Sequence, residues 1–222
     1  MLIRKSMTFR KLTIGLAVSI ALTQVAAADY INGTVWSVPA STAENAPTLG
    51  NAPGPGATEW STFTANGINF SGDAAGAYNL GGFLNSGGVA SNITYMNGAS
   101  ASTNLDNTLW EFTGSGSFTN GEMFNVVHDD GVNMYVNGAA VLLDGTPTPP
   151  VTSTFTYTGP TGTYNFDFIY VECCGGTADF KTTLVPSAPA TVNTPEPATG
   201  LLLGVGLLCG ILPLKRLIPN SK

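Results

Sequence analysis

Across 222 residues the chain carries 14 acids, 8 bases and one histidine. Seven of the bases lie in the first 11 and last 8 residues, so positions 29–194 hold 13 acids against Lys181 alone, a formal charge of −12. A body so acidic repels phosphate backbones and anionic lipid, which excludes nucleic acid as a partner, and it attracts cations.

The chain opens with Arg4, Lys5, Arg10 and Lys11, then the apolar run "LTIGLAVSIAL" from Leu12 to Leu22, then "VAAAD". Positive, apolar and small-residue regions in that order predict a secretory signal peptide over 1–28, cleaved after Ala28, because Ala26 and Ala28 fit an A-x-A site. The alternative, an uncleaved anchor, meets an apolar run well short of the ~20 residues that span a bilayer.

The body, 29–184, has the size of one domain. It lacks apolar residues at helical spacing over three turns and shows short alternating runs instead: "GEMFNVVH" (121–128), "VNMYV" (132–136), "STFTYT" (153–158) and "TYNFDFIYVE" (163–172). In the last, Tyr164, Phe166, Phe168 and Tyr170 share one face of a strand, with Asn165, Asp167 and Ile169 on the other. Asn-Gly, the strongest short hairpin signal, occurs at Asn32, Asn66, Asn97, Asn120 and Asn137, and is clearest at Asn137-Gly138, between "VNMYV" and "AAVLL". The Pro- and Gly-rich stretches 41–58 and 144–150 read as loops, and 185–194 as a linker.

Beyond the linker, "TPEPATG" precedes the uncharged run "ATGLLLGVGLLCGILPL" (198–214) and the bases Lys215, Arg216 and Lys222. A helix over 198–214 is about 25 Å long, enough for a thin bilayer, and its basic end belongs on the cytoplasmic side. Pro195-Glu196-Pro197, an apolar helix and a short basic end together resemble the PEP-CTERM sorting signal of Gram-negative bacteria. The resemblance implies processing by an exosortase, a membrane-embedded cysteine protease, and release to the cell surface or exopolysaccharide matrix. An ordinary C-terminal anchor is the plainer alternative.

One histidine and two cysteines outside the apolar run cannot build the usual Cys/His zinc site. A Ser-His-Asp set around His128 lacks the strand-to-helix context that presents a nucleophile. Carboxylate pairs for glycoside hydrolysis are available among thirteen acids, and nothing singles one out. "HDDGV" is either a plain turn, with Gly131 at positive φ, or a cation site. Neighbouring carboxylates ~4 Å apart repel by about 4 kcal/mol at an effective dielectric of 20, and a hard divalent cation with its preference for oxygen ligands reverses that cost. Cys173 and Cys174 form a vicinal disulfide, link to another chain, or stay reduced; the exported compartment is oxidising.

"FNVVHDDGVNMYVNG", followed about thirty residues later by "GTYNFDFIYVECCGGTADFKTTL", resembles the PA14 family over Trp60 to Leu184. The resemblance implies an antiparallel β-sandwich or barrel of a kind found in carbohydrate-binding adhesins, glycosidase accessory modules and toxin subunits. In its calcium-dependent adhesins two adjacent Asp, joined by a cis peptide, coordinate Ca²⁺, and a residue two after a later tyrosine completes the site. By position these are Asp129, Asp130 and, after Tyr170, Glu172, where the adhesins typically carry Asn. The expectation is therefore an all-β exported surface or matrix protein that binds glycan or exopolysaccharide with Ca²⁺ as cofactor and is not an enzyme. The alternatives are a purely structural surface or biofilm protein without a ligand site, and a carboxylate-based glycoside hydrolase.

Overall fold

The computed structural model describes residues 31–72 and 78–187. The signal peptide and Ala28, the sorting signal with Pro195, Glu196 and Pro197, the 198–214 helix and most of the linker lie outside the described residues. Among the described residues no helix is long and apolar enough to cross a membrane.

Eleven strands follow one another as β1 (Ile31–Ser37), β2 (Thr58–Ala65), β3 (Asn69–Ser71), β4 (Ala90–Tyr95), β5 (Thr108–Phe118), β6 (Met123–Asp129), β7 (Val132–Val136), β8 (Ala139–Asp144), β9 (Val151–Thr156), β10 (Gly162–Glu172) and β11 (Asp179–Thr182). Two short helices, α1 (Ala40–Ala43) and α2 (Leu80–Ser86), interrupt them. The strands form a seven-stranded sheet, β4-β2-β1-β5-β10-β7-β8, and a four-stranded sheet, β3-β11-β6-β9. Every named strand pair is antiparallel. The all-β antiparallel expectation holds, as a sandwich.

Alternation along β10 explains its central place. Phe166, Phe168 and Tyr170 face the small sheet within a core that includes Phe63, Trp110, Phe112, Phe70, Phe124, Phe155 and Phe180. Rings from opposite sheets meet directly: Phe112 and Tyr170 of the large sheet each lie 4.9 Å, centroid to centroid, from Phe180 of β11. Each such side chain contributes roughly 1.5–3 kcal/mol by leaving water. The helix α2, its first turn capped by Asn79 accepting from the Gly82 N–H at 2.8 Å, adds Leu80, Phe83 and Leu84 to the same core.

The other face of the large sheet carries Leu109, Tyr135, Ile169 and Val171, and segment 38–57 covers it through Val38, Ala43 and Ala46. The sequence reads 41–58 as a loop; within 38–57 the structure has only α1, a 3-10 turn at Leu49–Asn51 and a cis Ala52–Pro53 bond, and Thr58 already begins β2.

Of the five Asn-Gly pairs only Asn137-Gly138 makes the two-residue hairpin. Both residues have positive φ, +50° and +78°, and Val136 pairs with Ala139 across the turn. Asn32-Gly33 lies inside β1, where Gly33 is required because the Phe63 ring occupies the space a Cβ would take.

The large sheet ends in β4 on one side and β8 on the other. At both ends the pairing slips, between Thr62 and Thr64 against β4 and between Met134 and Tyr135 against β8, and the extra residue sits on the outer strand each time.

Candidate functional site: an acidic cleft where the chain changes sheets

The strands β6 and β7 are consecutive but belong to different sheets, so Asp129-Asp130-Gly131 is a crossing between layers and not a hairpin turn. Gly131 is also outside the positive-φ region, contrary to the plain-turn expectation. It is required for closeness: an added Cβ would stand 2.4 Å from the Gly145 carbonyl oxygen and 3.0 Å from Val171 Cγ2. Gly131→Ala therefore displaces backbone, which does not yield as a side-chain tip does. A loss of about 1–3 kcal/mol is expected in urea unfolding; an unchanged midpoint would refute the close-approach explanation.

Two further crossings run beside the first. The segment between β8 and β9 passes from the large to the small sheet through Pro147–Pro150, and the segment between β10 and β11 does so through Cys173–Ala178. Together the three wall a cleft of about 380 Å³ lined by Asp129, Asp130, Pro147, Thr148, Pro149, Pro150, Gly175, Gly176 and Thr177.

The other two crossings supply donors to the acids of the first. Asp130 accepts the Thr148 N–H at Oδ1 (3.2 Å) and the Cys173 N–H at Oδ2 (2.8 Å), and the Thr177 hydroxyl donates to Asp129 Oδ2 at 2.5 Å. Burial raises the Asp130 carboxyl above its usual value, while the Cys173 and Thr148 amides pull it back. The Asp129–Asp130 peptide is cis. Lys181, the one base of the body, pairs with Asp179 at 2.6 Å. Cys173 and Cys174 are joined as a vicinal disulfide.

Glu172 stands apart from the cleft lining. It is 1% exposed, its Oε1 lies 2.8 Å from the Tyr78 hydroxyl and its Oε2 2.6 Å from that of Tyr170. The Tyr170 hydroxyl also reaches the Asp129 carbonyl oxygen, and its ring is stacked between Phe83 and Phe180. One phenolic proton cannot serve two acceptors, so the second bond needs a proton from Glu172 itself. Burial, the largest influence, pushes the Glu172 carboxyl up to about 9, so it is an acid at neutral pH. The structure therefore joins Glu172 to Asp129 through Tyr170, beneath the cleft. Sequence reasoning missed Tyr78, Thr148 and Thr177; their spacing from the acids carries no signal, because two crossings bring the threonines to the pair and the stretch before α2 brings Tyr78 to Glu172.

His128 is fully buried, with Nδ1 on the Asp130 carbonyl oxygen at 2.5 Å and Nε2 on the Ser153 hydroxyl at 2.9 Å. Asp144 Oδ2 accepts from Ser153 at 2.6 Å and lies 3.4 Å from the same Nε2. Ser, His and Asp thus meet, but a relay needs the serine and the aspartate on opposite ring nitrogens. Here Nε2 faces both, and the histidine ties the first crossing to β8 and β9.

A hard cation's donors must be oxygens, and the cleft offers the two aspartates. An oxygen that accepts one hydrogen bond keeps a lone pair, so both remain able to ligate. The residues present fit such an ion in kind. The sulfurs nearby do not add to that set while bonded to each other.

No family model matches the chain, and no curated protein does. Among solved structures, a PA14 sugar-binding domain from an RTX adhesin is 22% identical, with 74% of this chain and 93% of that chain covered and a TM-score of 0.49. The PA14 domain of the MpAFP antifreeze protein is also 22% identical, covering 72% of this chain and 84% of that one, with a TM-score of 0.49. A β-glucosidase from Kluyveromyces marxianus is 11% identical over 72% of this chain and 17% of its own, with a TM-score of 0.37. At such identities and TM-scores no ligand and no residue role passes to this chain.

Proposed function

We propose that the protein is exported to the cell surface or matrix and binds glycan or exopolysaccharide at the acidic cleft, through Ca²⁺ held by Asp129 and Asp130. The observation that carries this reading is the placement of two adjacent, largely buried carboxylates at one open cleft. The resemblance of the "HDDGV" and "YVE" segments to calcium-dependent adhesins supports it. Two carboxylates supply at most four of the six to eight oxygens Ca²⁺ takes, which leaves places for water and for neighbouring sugar hydroxyls. Bound Ca²⁺ supplies the positive charge that compensates the pair. Thr148, Thr177 and the Cys173 amide orient the two aspartates, and Pro147–Pro150 and Gly175–Thr177 form the rims beside them. Glu172, held by Tyr170 and Tyr78, acts from below by fixing the Asp129 carbonyl. The terminal segments support export, passage of the C-terminal helix through the membrane, and processing by an exosortase-type protease.

Glycan-array binding by the full chain tests the reading. Binding in Ca²⁺ that disappears in chelator and in Asp129→Asn/Asp130→Asn is the expected result. Silence of the wild type on every glycan with Ca²⁺ would discard the lectin reading and favour a purely structural surface protein. Turnover of aryl glycosides would favour the hydrolase.

A further inference from the structure

The sulfurs of Cys173 and Cys174 and a carboxylate oxygen of Asp130 form a group whose members all lie within 4.8 Å of one another. Joined as a disulfide, the two sulfurs are not thiolate ligands. We propose that reduction of this disulfide converts Cys173, Cys174 and Asp130 into a site for a thiophilic divalent cation of the zinc or cadmium kind. The site is new in its chemistry and shares only Asp130 with the oxygen-donor cleft.

Access favours the conversion, because Cys174 is exposed while Cys173 is 1% exposed. A dithiol reductant attacks the Cys174 sulfur, and its second thiol completes the exchange. The Cys173–Cys174 bond breaks, a disulfide forms in the reductant, and two protons pass to the two cysteine sulfurs. Cation binding then releases those protons to solvent, since the thiolate is the ligand.

The local backbone gives the freed sulfurs room to reach one ion. Across a tetrahedral zinc with Zn–S of 2.3 Å the sulfurs stand about 3.8 Å apart, so they must separate after the bond opens. Cys174 has φ +64°, a region that disfavours a side chain, and Gly175 and Gly176 come next at +72° and +111°. Leaving that region relieves a conformation an L side chain disfavours, and two glycines follow Cys174 in the chain. Asp130 stays in place through Thr148, which belongs to a different crossing. Two thiolates and a carboxylate with water in the fourth position differ from the usual Cys/His sets, yet each is a ligand type that zinc accepts, and the thiolates make the set a poor one for calcium. In an oxidising compartment the disulfide form prevails, so this is the reduced protein's site.

The test titrates Cd²⁺ into the full chain and reads the ultraviolet thiolate-to-cadmium charge-transfer band. A phosphine serves as reductant; it takes oxygen from water, becomes the phosphine oxide and leaves no competing thiol. A charge-transfer band that saturates at one Cd²⁺ per chain in the reduced protein, no such band in the oxidised protein, and affinity weakened about tenfold or more by Asp130→Asn are expected. The Cys173→Ser/Cys174→Ser variant, which retains Cys209, shows no band. Absence of the band in reduced wild type, or an equal band in the double serine variant, overturns the proposal, and unchanged affinity in Asp130→Asn removes Asp130 from it. Near-ultraviolet circular dichroism checks that each variant is folded. Ca²⁺ binding by the oxidised chain is read separately, so failure of one site leaves the other standing.

Discussion

Chelator-stripped protein gains about 5–10 °C in melting temperature when Ca²⁺ is added to a hundredfold excess over its dissociation constant. A ligand bound only by the folded state at that excess adds about 2.7 kcal/mol, and each kcal/mol moves the midpoint of a domain this size by roughly 2–4 °C. Asp129→Asn/Asp130→Asn removes the gain, because asparagine keeps the oxygen but loses the charge that sets affinity for a hard cation. The paired comparison matters more than either melt alone. The same substitutions disturb amide bonds from Thr148 and Cys173 whether or not a cation binds, so the readout is the Ca²⁺-dependent shift within each variant. A wild type that melts identically in chelator and Ca²⁺ would sink the metal reading.

The stability of the chelated protein falls as pH rises from 5 to 8, and Glu172→Gln flattens that fall. Burial raises the folded-state value of Glu172 from 4.5 to about 9. The group's contribution is therefore complete below about pH 4.5, where both states are protonated, and declines as pH climbs toward 9, because the unfolded chain releases its proton first. The slope over that window is on the order of 1 kcal/mol per pH unit. Asp130, also raised by burial, adds a change of the same sign that Glu172→Gln leaves in place. Glutamine retains a donor for Tyr170 and an acceptor for Tyr78 and does not titrate. Urea unfolding at four pH values in chelator measures both slopes; parallel slopes for wild type and variant would mean that Glu172 is not held as an acid.

Much of this architecture can be read in the residues themselves. The alternation of Tyr164 to Tyr170 marks β10 and its inward face, "VNMYVNGAAVLL" marks the β7–β8 hairpin, and the thirteen acids against one lysine mark a cation-seeking body. The strand β5 escapes notice although it pairs with both β1 and β10, because Gly114 and Gly116 stand where its alternation would otherwise place inward side chains. The Phe166 ring fills the space beside Gly114, so the pattern is completed by another strand. In the same way Asp129 and Asp130 are conspicuous, while Thr148 and Thr177 become their partners only once three segments cross between the sheets together. Local chemistry announces the acids, and topology supplies their company.

The slipped pairing at the two ends of the large sheet bears on how its outer strands would meet a second copy of the chain. Outermost strands offer unmatched backbone groups to any similar edge, and flat ones template fibres. Here β4 carries its extra residue at Asn92–Ile93, with Asn92 at φ +52°, and β8 carries Val141, beside the exposed Leu143. An inserted residue bends and overtwists its strand, so a second copy meets no straight register to extend. The large sheet thus guards its two outer strands by irregularity, with one inserted residue at each margin.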